Sequence, residues 1–434
     1  MATLIEARIT QNQNNHDQEY KIPQEKERTF PWEREGRIGD IFIKVAGAGI
    51  PEERNFAGFS HAFVFPRHVE IHSPEVQDFH VNMMATLMEQ AMDARSWDGV
   101  DIIYLSSVTA TDDVAEKVAE ELKRRGKHVG QALFYNQACY GGFGPLIDLV
   151  KEHADDHLKI IGGPCDTLSG DMISPEEPKT ALTFGNGYGV IAATTDEIEV
   201  IGGRTTVYKD TTVIDAVHNV LGAIRMPEFY AWDTRGSLLP PPHYHFQNGA
   251  FEIYHRTEKG SKIRQYSTNT NQMAMDGSET LHLFKEHATT PLYDPIAELY
   301  EYLELTPDDI AEPLWHQPSN PVRMTLEYAA FFRALQRKGI ENIDINTFRK
   351  TPWDERMKFV ENHFNGNAPY ILHLPWVMDQ PNVKLNNVSG VTSLMMTLEM
   401  IDQGRVKLDT YTPILGLGIG IIVGSHLVKF HKQS

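Results

Sequence analysis

Apolar runs of strand length alternate with amphipathic stretches along most of the chain. The runs at 41–46, 102–105, 131–135, 158–161 and 180–192 are short, and all but the last are about four to six residues long. Between them, 81–94 and 113–125 place apolar residues every third or fourth position, which predicts helices, and a further short helix is predicted at 145–152. A second series follows: a strand at 251–255, a helix at 294–303, an apolar approach to position 316, helices at 321–337 and 392–403, and a last pair of strands within 414–430. Strands and helices taking turns at this spacing predict a layered α/β architecture. The apolar run 414–423 is glycine-rich and about half the length that crosses a bilayer, so it reads as a buried strand and turn.

Some segments break the pattern. Residues 1–37 are polar, with a Gln/Asn-rich stretch at 11–15 and charges at 25–28, and read as an extension lacking the apolar core of a signal peptide. The segments 225–244, with Pro240-Pro241-Pro242, and 340–383 exceed ordinary connections, as lids and binding loops do.

Composition narrows the function classes. With 434 residues and 41% hydrophobic content the chain can bury a large core, and its net charge of −19 argues against a phosphate-backbone partner. Nucleic acid is not expected. Two cysteines, Cys139 and Cys165, exclude a disulfide scaffold and fit a reducing compartment, and a cytoplasmic location is expected.

Three segments carry chemistry. In Gln137-Ala138-Cys139-Tyr140-Gly141-Gly142-Phe143-Gly144 an apolar strand delivers a thiol to the start of a helix, where unpaired N–H groups favour a thiolate. Trp315-His316-Gln317-Pro318-Ser319-Asn320 and Leu385-Asn386-Asn387-Val388-Ser389-Gly390 each open a later helix. Cys139, His316 and Asn387 thus supply a nucleophile, a proton-handling imidazole and an amide donor.

With these placed, the chain resembles the thiolase superfamily, and within it the β-ketoacyl-acyl-carrier-protein synthase III group. Phe134 to Gly141 is similar to that group's nucleophile segment, and Phe184-Gly185-Asn186-Gly187-Tyr188-Gly189 resembles its Phe-Gly-Asp-Gly-Ala-Gly strand. Gln247-Asn248-Gly249, the approach Leu305-Thr306-Pro307-Asp308-Asp309-Ile310 to His316, the turn at Asn387 and the glycine hairpin from Gly416 to Ser425 follow in the family's order.

The resemblance implies a five-layered αβαβα fold of two related halves, here 38–245 and 246–434, with insertions near 255–297 and 340–383. It implies a homodimer in which Cys139 takes an acyl group from a coenzyme A or acyl-carrier-protein thioester. His316 and Asn387 would hold the carbonyl of a malonyl- or β-ketoacyl-type donor during carbon–carbon bond formation. It also implies an acyl oxyanion site on the backbone N–H groups of Cys139 and Ile419, and Lys179 and Asn248 near the substrate entrance. An acid from the partner subunit would correspond to Asp113, which alternatively caps the helix it precedes. No cofactor beyond the thioester substrates, no metal and no membrane contact are expected.

Departures from the family are Asn186 for aspartate, Lys179 for arginine, Asn386 for glycine and Ile419 for glycine. With the added length they suggest a specialised relative in secondary metabolism. Two other functions remain open: acyl transfer to a hydroxyl or amine, and a catalytically silent partner subunit.

Other features have plainer readings. Cys165 reads as structural, and His243 with His245 lacks a third metal ligand. The stripe Leu394, Met395, Leu398, Met400 and Ile401 reads as core rather than acyl tunnel. A basic patch for a carrier protein would need Lys179, Arg124, Arg125 and Lys127 together.

Overall fold

The strand-length apolar runs assemble into two sheets, because a strand that is apolar on both faces must be covered on both. The computed structural model describes residues 30–207 apart from 57–58, 65–70, 72 and 171–183, strand segments between 217 and 275, and 281–432 apart from 282–283, 341–350, 365–367, 379–384 and 419–421.

In chain order the elements that build the core begin with β1 (Trp32–Ile38), β2 (Ile41–Gly47), a hairpin of β3 (Ile50–Phe56) and β4 (Phe59–Val64), and α1 (Pro74–Ala94). They continue with β5 (Gly99–Ser106), α2 (Val114–Arg124), β6 (His128–Tyr135), α3 (Gly144–Glu152), β7 (Lys159–Thr167), β8 (Asn186–Thr194) and β9 (Ile198–Val207). After the segments at 217–275 come α4 (Thr289–Tyr302), β10 (Leu314–Trp315), α5 (Asn320–Arg337), α6 (Trp353–Phe364), α7 (Val391–Asp402), β11 (Thr412–Gly418) and β12 (Ile422–Phe430).

The first sheet has the order β1-β2-β8-β7-β5-β6, and the second β10-β11-β12-β9. Side-chain alternation divides each sheet's faces cleanly. Ile43, Val45, Ile102, Tyr104, Ile191 and Ala193 join one core with α3 and α7, while Phe42, Ala46, Ile103, Leu105, Val190 and Ala192 join another with α1 and α2. Ile414, Val428 and Phe430 of the second sheet enter the same α3/α7 core, and Leu415, Leu417, Val423 and Leu427 pack against α4 and α5. Helices, sheet, helices, sheet and helices make five layers, the expected αβαβα arrangement. The Leu394 to Met400 stripe lies in the middle core.

Several boundaries differ from the sequence expectation. The strand Trp32–Ile38 pairs antiparallel with β2, so the first sheet begins inside the segment read as a polar extension. Its inner face covers α7: Gly36 leaves no room for a side chain against Leu398, and Arg34 reaches Glu399 and Asp402. Helix α1 begins at Pro74, seven residues earlier than its apolar period predicts, because Ser73 caps it by accepting from Val76 N–H. Such a cap contributes about 1 kcal/mol.

Strand β9, within the expected first half at 38–245, joins the second sheet. The chain changes sheets in the turn Thr195–Glu197, where Thr194 N–H donates to Glu197 and the buried Glu197 carboxylate pairs with Arg95 at 2.8 Å. The strand around 251–255 is present as Ala250–Thr257, but it pairs with neighbours at 244–247 and 260–267 in a separate sheet.

Candidate active site

Cys139 lies in a single 3-10 turn, Ala138–Tyr140, and is buried. The expectation of a cysteine on the first turn of the helix is therefore corrected: α3 begins five residues later at Gly144, after a turn through Gly141 and Gly142. A helix dipole fades within its first turn, so its pull on this sulfur is weaker than on a first-turn cysteine. The bend is held locally by Tyr140 N–H donating to Gln137 O at 3.0 Å and by Gln137 Nε2 donating to Asp148 at 3.2 Å.

His316 follows β10 and is fixed on both sides. Its own N–H donates to Leu415 O of β11 at 3.1 Å, Trp315 Nε1 donates to Pro375 O, and Val377 N–H donates to the Gln317 amide oxygen. The ring itself is buried, and neither nitrogen is hydrogen-bonded among the described residues. Burial pushes its pKa down to about 3. The imidazole is therefore neutral at physiological pH, with one nitrogen able to donate and the other to accept.

Asn387 occupies a strained turn. Asn386 has φ +57° and Ser389 has φ +46°, in the left-handed region that glycine adopts freely and asparagine tolerates best among other residues. This accounts for Asn386 at the family's glycine position. Asn387 O accepts from Gly185 N–H at 3.2 Å, and Phe184 and Asn387 form a parallel bridge. The Thr392 hydroxyl accepts from Val388 N–H at 2.7 Å and lies 3.5 Å from the Asn387 amide oxygen, leaving the amide nitrogen as the side chain's donor. Asn186, the aspartate substitute, accepts from Ser169 N–H at 3.1 Å, a bond that a carboxylate would equally make.

The three turns converge. An added Cβ on Gly390 would stand 2.8 Å from Gly142 N and 3.0 Å from Gly141 C, so the Asn387 turn rests directly on the Cys139 turn. Strand β11 links the remaining pair, because Leu415 holds His316 while Gly416 lies against the Tyr140 ring.

Other candidate residues fall elsewhere. Asp113 is exposed; its carboxylate lies 2.6 Å from the Thr111 hydroxyl and 2.9 Å from Lys117, and those bonds hold its pKa below the usual range. It stands at the N-cap of α2 without bonding the helix N–H groups, so the capping reading is not realised, while the acid reading concerns a partner subunit's site. Lys179, Asn248 and Ile419 lie outside the described residues, as does His243; of His245 only the backbone is described. Arg124 pairs with Glu121, Arg125 with Glu121 and Glu89, and Lys127 with Asp93, so these three are paired locally; Lys179, the fourth residue of the expected patch, lies outside the described residues. Cys165 is fully buried and its pKa is pushed up by burial, as a structural thiol's is.

Two buried groups near the site escaped the sequence reading. Asp166, after Cys165, accepts from Val108 N–H at 2.8 Å and from the Ser107 hydroxyl at 3.1 Å, and burial raises its pKa to about 6. His426 of β12 lies parallel to the Tyr140 ring at 6.3 Å, and its Nε2 is 3.1 Å from the Thr205 hydroxyl. The glycine pair in the C-terminal hairpin was the available signal for that stack.

No protein-family model and no curated protein sequence matches the chain. Solved structures do. The 3-oxoacyl-[acyl-carrier-protein] synthase III of Aquifex aeolicus is 14% identical, with a TM-score of 0.51 over 92% of this chain and 100% of that one. The corresponding synthase III of Pseudomonas aeruginosa is 13% identical, with a TM-score of 0.52 over 90% and 98%. The priming β-ketosynthase of the R1128 polyketide biosynthetic pathway is 15% identical, with a TM-score of 0.51 over 96% and 99%. These likenesses establish a shared thiolase-like fold.

Proposed function

We propose, from the thiolase-like fold shared with those synthases, that this chain is a condensing acyltransferase using Cys139, His316 and Asn387. The observation that carries the reading is the contact between the cysteine and asparagine turns, with a buried neutral imidazole tied to the cysteine turn through β11. Each group has a matching chemical task.

In the first half-reaction the Cys139 sulfur attacks the carbonyl of an acyl thioester. The carbon–sulfur bond to the carrier thiol breaks, the carrier leaves as a thiol and the acyl group stays on Cys139. In the second, a malonyl-type thioester loses carbon dioxide and its α-carbon attacks the acyl-cysteine carbonyl. The new carbon–carbon bond forms as the bond to Cys139 breaks. Negative charge collects on the donor's thioester oxygen, where an imidazole N–H and an amide N–H in a water-poor site stabilise it. A ring that stays neutral down to about pH 3 is suited to this, since its donor and acceptor persist over the whole physiological range.

The acyl donor would be a coenzyme A thioester. Arg124, Arg125 and Lys127 are all engaged with carboxylates, so they offer no ready docking face to an acidic carrier protein.

The test is to supply acyl-coenzyme A and malonyl-coenzyme A to the wild type and to His316→Ala and Asn387→Ala. All three should acylate Cys139, while carbon–carbon-bonded product should fall about 100-fold in each variant, the scale of losing one oxyanion donor. An ester or amide product without a new carbon–carbon bond would overturn the condensing assignment.

A further inference from the structure

Tyr140, the residue after Cys139, reaches out of the first half and into the second sheet. Its ring is buried over Gly416 and Gly424, which face each other across the β11–β12 pair. A Cβ at either glycine would fall 1.9 Å from a ring carbon, so this slot exists only because both positions lack side chains. Beside it, two residues along β12 from Gly424, the His426 ring lies 6.3 Å away with 6° between the planes, and Gly144 at the start of α3 also gives way to the tyrosine. His426 is anchored in turn by Thr205 of β9 and kept neutral by burial, its pKa pushed down to about 4.

We propose that Tyr140 is a positioning residue: seated in the Gly416/Gly424 slot and backed by His426, it fixes the Cys139 turn relative to the C-terminal hairpin. The inference rests on the condensing reading above, in which the Cys139 sulfur and the His316 imidazole, whose backbone is held by Leu415 of the same hairpin, act on one pair of substrates. The sulfur lies in the first part of the chain and the imidazole in the second. Their relative placement must hold to a fraction of an ångström for carbonyl attack, and a rigid ring wedged between strands supplies that constraint.

Alkylation and acylation need the sulfur, whereas condensation needs the sulfur and the His316 ring in register. Tyr140→Leu should therefore be alkylated at Cys139 by iodoacetamide within about threefold of the wild-type rate. In single-turnover experiments read by intact-protein mass, transfer of its acyl group from Cys139 to malonyl-coenzyme A should slow at least tenfold. Tyr140→Phe, which keeps the ring, should restore that transfer to within about threefold. Thermal melting of both variants checks that each is folded.

Equal condensation by wild type and Tyr140→Leu would overturn the proposal. So would a loss in Tyr140→Phe matching that in Tyr140→Leu, or a parallel loss of alkylation and condensation in Tyr140→Leu. If the wild type itself accepts no acyl group, the condensing reading fails and takes the positioning role with it, an outcome distinct from failure of the variant comparison alone.

Discussion

Three buried ionisable side chains contribute to the response of this protein to pH. His316 and His426 have pKa values of about 3 and about 4, below the ordinary value for histidine. The unfolded chain therefore binds protons there more readily, and the stability these residues contribute above about pH 6.5 is lost as pH falls toward their folded values. Asp166 acts in the opposite sense. Burial outweighs the bonds from Val108, Ser389 and Ser107 and raises its pKa to about 6, so the folded chain retains a proton that the unfolded chain gives up near pH 4. Its contribution is greatest at low pH and declines as pH rises through about 6. Asp166→Asn keeps an acceptor oxygen without the buried charge, and should stabilise the protein at pH 8 by on the order of 2 kcal/mol and scarcely at all at pH 4. Melting temperatures at the two pH values check this, and an unchanged or lower value at pH 8 would count against it.

Residue chemistry was only partly legible in the sequence. Cys139, His316 and Asn387 could be singled out because each sits in a short motif at an element boundary, and the structure brings their turns together. Asp166 and His426 could not, because a single polar residue in an apolar run gives no sign of what faces it across a sheet. Asn386 was visible as a departure from glycine, but its positive φ, which makes asparagine an acceptable substitute, appears only in the backbone.

At the scale of elements, close backbone approach determines the site. Gly390 has φ −61° and ψ −26°, an ordinary helical conformation that any residue adopts, so glycine is required there for space alone. A methyl group would collide with Gly141, Gly142 and Pro164. Gly390→Ala should destabilise the protein by about 1–3 kcal/mol, as overpacking does, and should cost more in condensation than in alkylation of Cys139. Chemical denaturation beside the two rates measures both; wild-type stability and activity together would contradict this use of the glycine.

Element boundaries show what periodicity misses. Helix α1 extends back to Pro74 because Ser73 caps it, a local signal outside the apolar repeat. Strand β1 alternates exposed and half-buried positions, which are easily read as a polar tail when only apolar runs are sought. The cysteine turn precedes its helix because Gly141 to Phe143 form a bend, whereas sequence spacing alone places the thiol at the helix start.

At the scale of the molecule, runs apolar on both faces made a layered α/β architecture legible before any contact was known, while its five layers were an expectation from the family resemblance that the cores on both faces of the sheets bear out. The crossing between sheets was less so. It occurs at Thr195–Glu197, where a capping box and the Arg95–Glu197 pair fix the turn, and nothing in the strand pattern distinguishes β8 from β9 as belonging to different sheets. Among the described residues no helix is long and apolar enough to cross a membrane. Joining the two sheets around one middle layer puts Cys139 on one half and His316 and Asn387 on the other. The proposed chemistry therefore depends on both halves meeting.

Intact-protein mass spectrometry of wild type and Cys139→Ala, after incubation with acyl-coenzyme A thioesters of several chain lengths, tests that chemistry most directly. The expected result is one acyl-sized mass increment on the wild type, absent from Cys139→Ala and released when a malonyl-type thioester is added. No increment on the wild type with any thioester, or an equal increment on Cys139→Ala, would contradict the assignment of Cys139 as the acyl-carrying nucleophile.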